Sequence, residues 1–83
     1  MKNIVDFELN KTALEKRKKE IILAVINDSN IETFFKEFFK NYLLSKPVLY
    51  FKNMTYFKQI ISRDLRIESD IRHQQLLQRI CEI

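Results

Sequence analysis

The sequence predicts an all-α fold: a compact bundle of three or four helices with a short extended or strand-like N-terminal arm. Three observations predict it. The chain has no glycine and one proline, Pro47, whereas tight hairpins and bulges draw heavily on glycine. Apolar residues recur at the helical period over most of its length. At 83 residues there is room for one core, so residues 1–83 are read as one domain. A core this small is marginal by itself, which makes a homodimer the expected form.

The elements follow in order. In residues 1–9, Val5, Phe7 and Leu9 alternate with Asp6 and Glu8, the period of a strand or extended arm. Thr12 to Glu15 has the form of a capping box opening the first helix. Leu14, Ile21, Ile22, Val25 and Ile26 give that helix its inner stripe, and residues 27–30 end it. Ser29 to Glu32 forms a second capping box. After it, Ile31, Phe34, Phe35, Phe38, Phe39, Tyr42 and Leu43 fall on one helical face, with polar residues on the other. Ser45-Lys46-Pro47 stops this second helix, and Pro47 suits the first position of a third, over residues 47–65. Tyr50, Met54, Phe57, Ile61 and Leu65 cluster there within roughly 80°. Residues 53–55 mark a local weakness, since Asn and Thr compete with helical bonding. After a turn at residues 66–68, a fourth helix over 69–81 turns Leu76, Leu77 and Ile80 inward.

Several chemistries are set aside. One cysteine, Cys81, and one histidine, His73, give neither an internal disulfide nor a zinc site. Without glycine there is no phosphate-cradling or dinucleotide-binding loop. The longest apolar run, residues 21–26, is far short of a membrane span. Asp6 and Glu8 interrupt any signal-peptide core. The lone thiol fits a reducing, cytoplasmic setting, where the Asn-x-Thr triplets at Asn10 and Asn53 carry no glycan. Abundant Ile, Lys and Asn suit an AT-rich bacterial, viral or mobile-element source. His73 and Cys81 stand about 12 Å apart on a straight helix, too far for a nucleophile and its base. His73 reads as a histidine at the edge of the core. No pair of carboxylates sits at helical spacing on an apolar face. The expectation is a protein that binds and does not catalyse, with no catalytic residue, metal or cofactor.

Charge is unevenly spread within a net of +4. Residues 38–63 hold no Asp or Glu, yet include Lys40, Lys46, Lys52, Lys58 and Arg63 among interleaved aromatics. On the third helix, Lys52, Thr55, Gln59, Ser62, Arg63 and Arg66 fall within about 100°, opposite the apolar stripe. Such a row can follow a phosphate backbone. On the fourth, Arg72, Gln75 and Arg79 share a face flanked by Gln74 and Gln78, and Arg and Gln suit base edges. Residues 60–71 read loosely as a helix-turn-helix, with Arg66 where a turn glycine is frequent. The nucleic-acid candidates are therefore Lys52, Gln59, Arg63, Arg66, Arg72, Gln75 and Arg79.

Other readings stand beside this one. Lys16-Arg17-Lys18-Lys19 winds around the first helix between Glu15 and Glu20 and reads as a solvated, ion-paired turn, with Lys18 snorkelling from the apolar stripe. A strand followed by two helices is the order of a ribbon-helix-helix dimer, but the strand would present Asp6 and Glu8 to phosphates. The aromatic load, seven Phe and three Tyr, supports a protein-binding inhibitor or adaptor of a host protein. Its interface candidates are Phe34, Phe35, Phe38, Phe39 and Tyr42. A helical module at an anionic membrane surface, of the immunity-protein kind, is a third reading.

Overall fold

A computed structural model describes the backbone of residues 2–67 and 70–83, and the side chains of these from residue 11 onward. Helix α1 spans Lys2–Ile26, α2 Thr33–Ser45, a 3₁₀ helix Val48–Lys52, α3 Met54–Asp64 and α4 Ile71–Cys81. The fold is all-α. The long α1 is the spine, against which α2, the 3₁₀ helix and α4 pack, and α3 packs on α4 and the 3₁₀ helix. At 1.5 Å per residue, a helix of 25 residues is about 37 Å long, which sets the 47 Å long axis of the molecule.

The N-terminal arm is not extended: residues 2–10 are the first turns of α1. A strand must find a partner for its amides, and no strand is present among the described residues to offer one. A helix satisfies its own. Ile4 and Phe7 also fall in helical phase with Leu14 at i, i+3 and i+10, a pattern that the shorter strand alternation masked. Thr12 consequently lies inside the helix, where a capping box has no free amides to meet. The ribbon-helix-helix order disappears with the strand.

Core and sequence agree on most inner positions. Leu14, Ile21, Ile22, Val25, Phe35, Phe39, Leu43, Phe57, Ile61, Leu65, Leu76, Leu77 and Ile80 are all buried in one cluster. Helix α2 begins at Thr33, not at the Ser29 box, because the Asp28 carboxylate takes the Asn30 amide at 2.9 Å and tightens the preceding turn. The weakness at residues 53–55 is a real break. Asn53 caps α3, its side chain accepting from the Tyr56 amide at 3.1 Å, and the segment before it is 3₁₀. This break resets the helical phase, so Phe51 is fully buried while Tyr50 is exposed.

Two tethers hold α1 to the segment after α2. Lys18 Nζ donates to the Leu44 and Lys46 carbonyls at 3.1 and 2.7 Å, closing the C-terminal end of α2. Arg17 donates to the Phe51 carbonyl at 2.8 Å. Lys18 thus points into the structure as its spacing implies, but Glu15 and Glu20 form no ion pair among the described residues. The basic run clamps backbone where an ion-paired turn was expected.

Candidate functional site

The site is built on α3 and α4. Asn53 fixes where α3 starts, and that start sets the phase of every side chain after it. Phe57 and Ile61 turn inward, so Thr55, Lys58, Gln59 and Ser62 turn toward α4. At the far end the chain leaves α3 through Leu65, and Arg66 takes the left-handed conformation with φ 53°. That residue reverses the chain and drops Ile67 into the core, fully buried. Asp70 then caps α4, its carboxylate accepting from the Arg72 and His73 amides at 2.9 and 3.3 Å. Ser69, the expected start of that helix, lies outside the described residues.

Between the two helices runs an open groove of ≈ 630 Å³, lined by Thr55, Lys58, Gln59 and Ser62 of α3 and Gln74, Leu77 and Gln78 of α4. Its lining includes no carboxylate. The single carboxylate of α3, Asp64, is taken by the Tyr42 hydroxyl at 2.6 Å. Burial, and secondarily that bond and the Asp64 charge, raise the Tyr42 phenol above its ordinary value.

All seven sequence-predicted nucleic-acid contacts are exposed, but they do not form one row. Gln59 lines the groove, and Arg63 stands on α3 one helical turn beyond it. Arg66 lies past the helix end. Neither arginine forms an ion pair among the described residues. Lys52, displaced by the 3₁₀ segment, faces α1 instead, lining a small cavity with Ala13, Leu14 and Arg17. On α4, Gln75 is exposed and its side chain forms no hydrogen bond among the described residues, whereas the two arginines are engaged: Arg72 with Glu32 at 3.5 Å and Asp70 at 3.7 Å, and Arg79 with Asp28. These pairs tie α4 to the α1–α2 connection. Lys58 also lines the groove, although its phase on α3 puts it at the edge of the polar row, next to the inward Met54 and Leu65.

The five aromatic candidates divide in the same way. Phe35 and Phe39 belong to the core, at 8% and 0% exposure, and have no surface to offer a partner. Phe34 and Phe38 remain exposed, at 81% and 48%. The inward row of α2 is Phe35, Phe39 and Leu43, an i, i+4, i+8 line narrower than the full apolar face. Tyr42 is half-buried and bonded to Asp64.

His73 sits at the core edge, as expected. Its ring stacks on Phe35 with centroids 3.6 Å apart and planes 5° from parallel, and Nδ1 is 3.6 Å from Asp70 Oδ2. Cys81 donates weakly to the Met54 carbonyl at 3.8 Å. Burial pushes this thiol up, with Lys58 opposing and Glu82 adding to the shift. Among the described residues no three His, Cys, Asp or Glu side chains converge on a metal position. Among the described residues no helix is long and apolar enough to cross a membrane. No protein-family model, curated protein or solved structure matches the chain.

Proposed function

We propose that this protein is a non-enzymatic binder of nucleic acid, acting through the outer face of α3 and the adjoining face of α4. One observation carries the reading: Thr55, Gln59 and Ser62 of the α3 row and Gln74 and Gln78, which flank the α4 face, line one groove with no carboxylate in its lining. Phosphate and sugar contacts come from Arg and Lys and from Ser, Thr and Gln side chains. Apart from Leu77, those are the types that line the groove, and Arg63 on α3 and Arg66 past its end continue the row. Because Arg72 and Arg79 are ion-paired, sequence discrimination by α4 rests on Gln75 and Gln78. Fluorescence titration at low salt, with single-stranded and duplex oligonucleotides, tests the reading. Micromolar or tighter binding supports it, and no binding up to tens of micromolar removes it.

The exposure of Phe34 and Phe38 favours a second reading, a protein partner or a second copy seated on the outer edge of α2. Light scattering tests the homodimer directly. A mass near 20 kDa at micromolar concentration supports it, and the monomer mass of 10.1 kDa throughout removes it.

A further inference from the structure

We propose that α3 carries, beside the groove, an aromatic pocket for an unstacked base, so that the ligand is single-stranded nucleic acid. This rests on the nucleic-acid reading above and narrows it. The pocket holds ≈ 300 Å³ and is walled by Leu49 and Tyr50 of the 3₁₀ helix, Asn53, and Tyr56, Phe57 and Ile60 of α3. That volume lies at the small end of ligand sites, roughly 300–1,000 Å³, which suits a flat ring and not a helix.

The pocket is pre-formed on one side and open on the other. Tyr50 stands edge-on to Phe57, with centroids 5.3 Å apart and planes at 86°. Phe57 is itself locked edge-on against Phe51 at 5.1 Å. Tyr56 is 63% exposed, and its ring makes no aromatic contact among the described residues. A base stacking there covers apolar ring surface that the fold leaves in water.

Charge selects a nucleotide over an apolar peptide. The walls lie within residues 38–63, which contain no Asp or Glu, and Asp64, the next acid along α3, is bonded to the Tyr42 hydroxyl. Lys46 Nζ stands 5.3 Å from the Tyr50 ring centroid and 4.9 Å from that of Tyr42, placing a cation at the rim. Gln59 and Arg63 follow Tyr56 at i+3 and i+7 on the same helical face, leading from the pocket toward the groove. Bases inside a duplex are stacked on each other and cannot enter, whereas a single strand can splay a base onto a ring.

The test measures anisotropy of labelled 16-nucleotide DNA and RNA strands, and of the DNA duplex of the same sequence, with the full chain. Wild type is expected to bind a strand more tightly than the duplex, and the DNA and RNA arms tell which sugar is preferred. Tyr56→Ala is expected to weaken strand binding by about 5- to 150-fold, the effect of losing one stacked base, with duplex binding within about two-fold of wild type. Tyr56→Phe keeps the ring and is expected to bind as wild type. Tyr56→Leu keeps an apolar side chain without a ring and is expected to behave as Tyr56→Ala. Unchanged strand affinity in Tyr56→Ala and Tyr56→Leu overturns the pocket while the wider reading stands. Failure of all probes to bind wild type overturns both and leaves the pocket to an apolar peptide.

Discussion

The Tyr42 hydroxyl donates to Asp64 Oδ2 across 2.6 Å, joining α2 to α3 through one side-chain bond. Asp64 is the single acid of α3, and the bond draws it toward α2. The outer face of α3, with Thr55, Gln59 and Arg63, is thereby left without a carboxylate of its own.

Tyr42→Phe is expected to lower stability by about 1 kcal/mol at neutral pH, the usual net worth of a hydrogen bond. The folded-state pKa of this phenol is raised. The contribution is therefore complete below the ordinary value of about 10 and is lost as pH rises through the higher folded value. Thermal melts of wild type and variant should converge in strong alkali, and a gap that stays constant above pH 10 contradicts the assignment.

Asp70 gives the opposite dependence. Desolvation acts to raise its carboxyl, but the His73 amide and charge and the Arg72 amide and charge hold it below its ordinary value. A depressed folded pKa contributes stability above the unfolded value of about 3.9, and that stability is lost as pH falls through the folded value. Asp70→Ala should lower the melting temperature at pH 7 by more than it does at an acid pH below the ordinary carboxyl value of about 3.9. An equal difference at both pH values would show that the carboxylate charge plays no part.

Arg66 occupies left-handed backbone without being glycine. A residue with a Cβ is disfavoured there by about 1–2 kcal/mol, while glycine costs roughly 0.5–1 kcal/mol in unfolded-state entropy. Arg66→Gly is expected to stabilise the protein slightly, by up to about 1 kcal/mol in urea titration. A clear loss of stability would mean that the Arg66 side chain holds the turn.

Phe34 and Phe39 separate surface from core. Phe39→Ala is expected to cost about 3–5 kcal/mol, a large share of the 5–15 kcal/mol typical of folded domains. Phe34→Ala should fall within about ±0.5 kcal/mol when measured on the monomer. A Phe34 loss that grows with protein concentration marks a homodimer interface.

The helices were legible where their apolar stripes are long and uninterrupted: α2 by its Phe rows, and α4 by Leu76, Leu77 and Ile80. The N-terminal turns of α1 were not, because Val5, Phe7 and Leu9 fit a strand over a window too short to show the longer period. Phe51 and Ile67 were missed for a related reason. Phe51 lies within the 3₁₀ segment and Ile67 directly follows the left-handed Arg66, and both backbone events shift phase without changing composition. The groove was half legible. Gln59 and Ser62 carry the right side chains, but only the 3₁₀ segment and the restart of α3 at Met54 assign Lys52 to α1, and only the packing of α4 shows that Lys58 lines the groove. The engagement of Arg72 and Arg79 is a long-range pairing with Glu32 and Asp28 that no local pattern contains.

The salt dependence of binding by Arg63→Ala/Arg66→Ala tests the central claim most directly. Both side chains are exposed and make no ion pair among the described residues, so the double variant should melt as wild type within about 0.5 kcal/mol per site. If α3 tracks a phosphate backbone, affinity falls for all sequences alike. The slope of log affinity against log salt then becomes shallower by about 1.4 units on a single strand, or about 1.8 on a duplex, for the two lost contacts. A slope and affinity unchanged from wild type, in a variant that folds normally, would contradict a nucleic-acid interface on this face.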